Sequence, residues 1–95
     1  MYLVTLRGPL TVVNTTITAG TTSQVLQTAK TRSFIEIQNT SAGDLWINFG
    51  AVAAIDSGIK IATGVTWNSR SNYCPNNTIN IMGATTGQKF SYSIF

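Results

Sequence analysis

Three carboxylates (Glu36, Asp44 and Asp56), a single thiol (Cys74) and no histidine are what this 95-residue chain offers for acid–base or nucleophilic chemistry. The lack of histidine removes the usual general base, the Ser-His and Cys-His nucleophile pairs and the commonest metal ligand. Glu36 and Asp44 fall on neighbouring predicted strands and would meet across a hairpin. They would do so on its polar face, whereas a glycosidase pair works in a cleft, so solvated surface or an ion pair with Arg32 or Lys60 is the expected role. The acids are too far apart in sequence for a Ca²⁺ loop, and no phosphate-binding glycine motif occurs. Cys74 stands beside Pro75 and reads as a loop or part-buried thiol. As the only cysteine it forms neither an intrachain disulfide nor a cysteine-rich metal site, and it suits a reducing compartment. The chemistry available predicts a protein that is not an enzyme and has no catalytic residue, cofactor or metal.

Aromatic side chains are the other site signal. Trp46 falls on the polar-alternating face of its strand and Tyr73 in a polar loop. With Trp67 they would make a sugar-stacking platform or an anchor at a protein interface. The structural alternative places Trp67 in the core and has Trp46 cover a second sheet.

The elements that must position these groups are strands. Helical periodicity is nearly absent, and period-two alternation recurs from about residue 10 to the end, punctuated by Gly, Asn and Thr. Residues 1–10, interrupted by Gly8-Pro9, read as an N-terminal arm, and residues 11–95 as one β-sandwich domain. Residues 11–17 and 23–29 flank a turn at 18–22 and predict a first hairpin. A second is predicted in RSFIEIQNTSAGDLWINFG, where Ile35, Ile37, Leu45, Ile47 and Phe49 form the inward set and Phe34 and Trp46 fall on the outward face. Residues 51–57 are weakly patterned and fit a loop or one helical turn. Further strands are expected around Ile59 and Ile61, Val65 and Trp67, and Ile79 and Ile81, with a polar loop over 68–77. A last strand places Phe90, Tyr92 and Ile94 on one face. About eight short strands predict an all-β fold, an antiparallel sandwich or jelly roll.

Composition narrows the partners. Only 9% of residues are charged, while Thr, Ser and Asn make up about a third of the chain, so the surface is polar but mostly neutral. That suits Thr-lined strands, and it equally suits a surface covered by other protein. The net charge of +3 comes from six widely spaced bases, a poor phosphate track, so no nucleic-acid partner is expected. The first ten residues lack the apolar core of a signal peptide and no run reaches membrane-spanning length, which predicts no membrane partner and synthesis in the cytoplasm.

One segment resembles a known family. Arg32, Ile35, Glu36, Ile37, Gln38 and Asn39, then Trp46-Ile47-Asn48-Phe49-Gly50, then Gly58-Ile59-Lys60-Ile61-Ala62-Thr63-Gly64 resemble a small β-sandwich family in virions of tailed bacteriophages, which includes capsid decoration (cement) proteins and head-fibre modules. The match covers about residues 30–67, and the terminal strands agree only in type. The resemblance implies a non-enzymatic virion component made in the host cytoplasm. It would be a homo-oligomer, a trimer in the leading reading, fixed to the outside of an icosahedral head. Its partner would be the major capsid protein, whose subunit contacts it would stabilise. It carries over no catalytic residue. The candidate interface residues are Tyr2, Leu3, Val4, Leu6 and Arg7 of the arm, together with Phe34 and Trp46. The alternative function is a carbohydrate- or receptor-binding module of a head or tail fibre, using Trp46, Tyr73 and Trp67.

Overall fold

The computed structural model describes residues 10–69 and 73–95. The described residues form eight strands: β1 (Thr11–Thr16), β2 (Gln24–Gln27), β3 (Ile35–Asn39), β4 (Leu45–Phe49), β5 (Ile59–Ile61), β6 (Thr66–Asn68), β7 (Ile79–Gly83) and β8 (Lys89–Ile94). They form two antiparallel four-stranded sheets, ordered β1-β8-β3-β6 and β2-β7-β4-β5. The pairing is nested: first strand with last, second with seventh, third with sixth, fourth with fifth. A long antiparallel ribbon rolled on itself gives this order, and it is the jelly-roll form of a β-sandwich.

The two predicted hairpins are not hairpins. β1 and β2 belong to different sheets, as do β3 and β4, and among the described residues β4–β5 is the one link that joins paired strands. RSFIEIQNTSAGDLWINFG therefore turns a corner from one sheet to the other. Alternation sets which face of a strand is buried, and a short polar turn serves a corner as well as a hairpin.

The inward faces interdigitate as one core. Ile35, Ile37, Phe90, Tyr92 and Ile94 come from the first sheet, and Leu45, Ile47, Ile61, Ile79 and Ile81 from the second. Phe49 is half-buried at the core's margin. The expected inward face of the last strand, Phe90, Tyr92 and Ile94, is as read from sequence.

Two buried polar side chains tie the corners. The Asn39 side chain is fully buried at the end of β3. Its Nδ2 donates to the carbonyls of Gly43 and Ile61, both at 2.8 Å. Its Oδ1 accepts from the Ser41 amide at 2.9 Å and the Ser41 hydroxyl at 2.7 Å. One amide thus shapes the β3–β4 corner and ties it to β5 in the opposite sheet. Gln88 does similar work at the β7–β8 corner, donating to the Ser41 hydroxyl and the Asp44 carbonyl and accepting from the Thr85 amide.

The loop over residues 50–58 crosses the outer face of the second sheet. Asn80 Nδ2 donates to the Ala51 carbonyl at 2.6 Å, Asn48 Nδ2 to the Val52 carbonyl at 3.4 Å, and the Ser23 hydroxyl accepts from the Ala53 amide at 2.9 Å. Gly58 ends this loop with φ of +78°, and a Cβ added there would stand 2.5 Å from the Ile47 carbonyl oxygen. Gly64 has almost the same φ, +76°, and open space around it. Gly58→Ala should therefore cost about 2 kcal/mol, and Gly64→Ala about 1, the backbone penalty alone. Equal shifts in the urea midpoints of the two variants would remove the close approach as the reason for Gly58.

Candidate functional site

The described residues leave a cleft of about 530 Å³ between the sheets, at the side where edge strands β5 and β6 lie. Ile59 of β5, Phe49 of β4 and Trp67 of β6 contribute apolar walls, so both sheets build it. The Phe49 and Trp67 rings meet at 5.7 Å between centroids with a 43° tilt, a contact that joins the sheets where the core ends. Tyr73 and Pro75 also line it, and Tyr73 is 66% exposed. Asn68, Ser69 and Asn77 supply the polar lining. Ser69 is turned to the fold: its hydroxyl accepts from the Ile35 amide at 3.1 Å.

Arg32 fixes one wall. The sequence reading offered it as an ion-pair partner for a carboxylate, but the side chain is 7% exposed and spends its donors on carbonyls. Nη1 donates to Pro75 at 2.9 Å and Asn77 at 3.0 Å, and Nη2 to Thr28 at 2.7 Å, while Nε is buried without a partner among the described residues. The cleft residues Pro75 and Asn77 are thereby tied to the loop ahead of β3. Burial pushes the Arg32 guanidinium below its ordinary range, with Cys74 acting the other way. That range lies so far above neutrality that the group stays charged.

The acids are dispersed. Glu36 alternates outwards on the first sheet, opposite Ser93 and Asn68. Asp44, ahead of β4 on the second, pairs with Lys60 at 3.3 Å, one of the two pairings anticipated. The expected approach of Glu36 and Asp44 across a hairpin does not occur, because their strands are in different sheets and the two side chains face opposite sides of the sandwich. Asp56 sits in the loop over residues 50–58 at φ of +62°. Among the described residues, no three of His, Cys, Asp and Glu come together. No helix there is long and apolar enough to span a membrane.

Of the three aromatics singled out, the cleft unites Trp67 and Tyr73 and does not include Trp46. Trp46 does face outwards on β4, between Met82 and Lys60 in register, yet is only 8% exposed. The loop over residues 50–58 lies across this face, so the chain itself accounts for the burial, and the neighbour on that side is a loop where the alternative had expected a second sheet. Phe34 is half-buried with its ring 5.6 Å from that of Phe95. Tyr2, Leu3, Val4, Leu6 and Arg7 lie outside the described residues. Sequence reasoning placed Phe49 in the core and missed its part in the cleft. Its position as the last apolar residue of an alternating run, just before Gly50, was the signal that it stands at the core's margin.

No family model matches the chain, and no curated protein matches it. Among solved structures it is similar to a Bacillus chain described under the words "Bacillus endospore appendages form a novel family of disulfide-linked pili". The two are 21% identical, over 99% of this chain and 96% of that one, with a TM-score of 0.44. Similarity at this level does not transfer a function.

Proposed function

We propose that the chain is a structural, non-catalytic virion component: a capsid decoration (cement) protein. It sits on the outer surface of a tailed-phage head as a homo-oligomer, a trimer in the leading form, and stabilises contacts between major capsid subunits. The observation that carries this reading is the nature of the two outer faces. On the second sheet, Val25 lies in register with Asn80, the residue that holds Ala51, so Val25 and the adjoining Val52 stand on the same face. They are 58% and 73% exposed. The first sheet presents Asn14, Ser91 and Gln38 in one row, and Val12, Ser93, Glu36 and Asn68 in the next. Glu36 and Lys89 are charged on the first face and the Lys60–Asp44 pair on the second, so each face docks on protein with few ions to desolvate. The virion setting rests on the resemblance of residues 30–67. Each contact would be weak, and many copies on a repeating shell would add up through multivalency.

Val25→Asp combined with Val52→Asp tests the role of the second face. Both side chains are exposed, so the unfolding midpoint should hardly move. Occupancy on heads that lack the protein should fall at least about tenfold, because charge is placed where the docked surface would be dry. Full occupancy by the double variant would take the second face out of the account.

A further inference from the structure

We infer that the cleft between β5 and β6 is a binding site for an uncharged saccharide, a function beyond attachment to a capsid. Its size falls in the range of small-ligand sites, with space for about one or two sugar rings. The chemistry of the lining selects the class. Among the described residues that line it, none carries an acidic or basic side chain, so a phosphate, a carboxylate or an amine would shed its water against them without a counter-charge. Trp67, Phe49 and Tyr73 offer aromatic surface, and the C–H faces of a pyranose pack on such surface as any apolar group does. Asn77 adds a primary amide, with two donors and a two-lone-pair acceptor. Sugar hydroxyls both donate and accept, and they match such a group. A purely apolar peptide side chain would instead leave this amide unpaired as it displaced water.

The site is built before any ligand arrives. Arg32 holds the backbone carbonyls of Pro75 and Asn77, and the contact between Phe49 and Trp67 joins the two sheets, so the aromatic floor and the backbone that carries Asn77 are tied into the fold. A preformed cleft spends little of its binding free energy on ordering itself. Tyr73 is the exposed member and the one whose loss should least disturb folding.

The full chain, Tyr73→Ala and Asn77→Ala should each be applied to an array of neutral and acidic glycans, with NMR titration at millimolar free sugar to register weak binding. The expected result is binding to a neutral saccharide, competed by the free sugar. Tyr73→Ala should weaken it about tenfold or more with an unchanged unfolding midpoint, and Asn77→Ala should weaken it less. Three outcomes would overturn the inference: no neutral sugar perturbing cleft resonances at millimolar concentration, binding confined to acidic glycans, or binding indifferent to both substitutions. A change in oligomeric state on Tyr73→Ala, with no sugar effect, would identify the occupant as another copy of the chain and would equally overturn it. Head occupancy of the same Tyr73→Ala protein is a separate readout, so loss of the sugar site and loss of the decoration role are distinguishable.

Discussion

Arg32→Met should lower stability by about 3 kcal/mol. Three carbonyls, those of Thr28, Pro75 and Asn77, lose a charged donor together, and each buried acceptor left unpaired costs about 1–3 kcal/mol. The guanidinium's own desolvation, already imperfectly offset because Nε is buried without a partner among the described residues, is recovered and reduces the sum. Arg32→Lys should restore less than half of the loss, since one ammonium cannot reach three carbonyls in the planar spread of a guanidinium. In urea the midpoint of Arg32→Met should drop by more than about 1 M, given slopes of about 1–3 kcal/mol per molar for small domains. A drop of a few tenths of a molar would mean that water replaces the side chain freely and that Arg32 does not set the cleft wall.

Asn39→Asp should turn a pH-independent tie into a titrating one. In the native chain two carbonyl oxygens, of Gly43 and Ile61, face Nδ2 at 2.8 Å. A carboxylate there meets both as an acceptor, and its only relief is protonation, so its folded-state pKa rises above the ordinary value of about 3.9. The native state then binds more protons than the unfolded state, and stability falls as pH climbs through the window between the two values. The variant should be close to its best below about pH 4 and lose about 3 kcal/mol or more by neutrality, whereas Asn39→Ala should lose a similar amount at every pH. Unfolding curves at pH 4 and pH 7 decide this. An Asp variant equally stable at both would mean that the corner opens to water around residue 39.

These two residues also mark where sequence stops being sufficient. Strands were legible because Ile35, Ile37, Leu45 and Ile47 alternate with polar partners, and the face they bury follows from that alone. Pairing was not legible, because the turn at residues 39–43 is short and polar whether the chain reverses within a sheet or crosses to the other. What decides it is the nested set of distant partners, β1 with β8 and β2 with β7, and no local pattern encodes that. Arg32 looked like a surface charge because its buried acceptors are carbonyls from segments some forty residues further on, and backbone acceptors have no sequence signature. Trp46 looked exposed because it shares a face with Asn48 and Lys60. The loop that covers this face, rich in Ala and Val, is too weakly patterned to announce its path. Trp67 and Tyr73 were visible as site candidates by type, but their convergence required the fold.

The polar and glycine positions that carry the resemblance have a physical reading of their own. Arg32 ties the cleft wall, Asn39 ties a corner across the sheets, and Gly50, Gly58 and Gly64 take positive φ. They specify this jelly roll, while the exposed faces and the cleft decide what it binds.

The most direct test of the decoration role is sedimentation of the purified chain with heads assembled, without it, from the major capsid protein that the proposal gives it as partner. The account predicts that it co-sediments to a saturable plateau at a fixed ratio to capsid subunits, and that decorated heads resist heat better than bare ones. Protein remaining at the top of the gradient at every concentration, with the head's thermal stability unchanged, would contradict it.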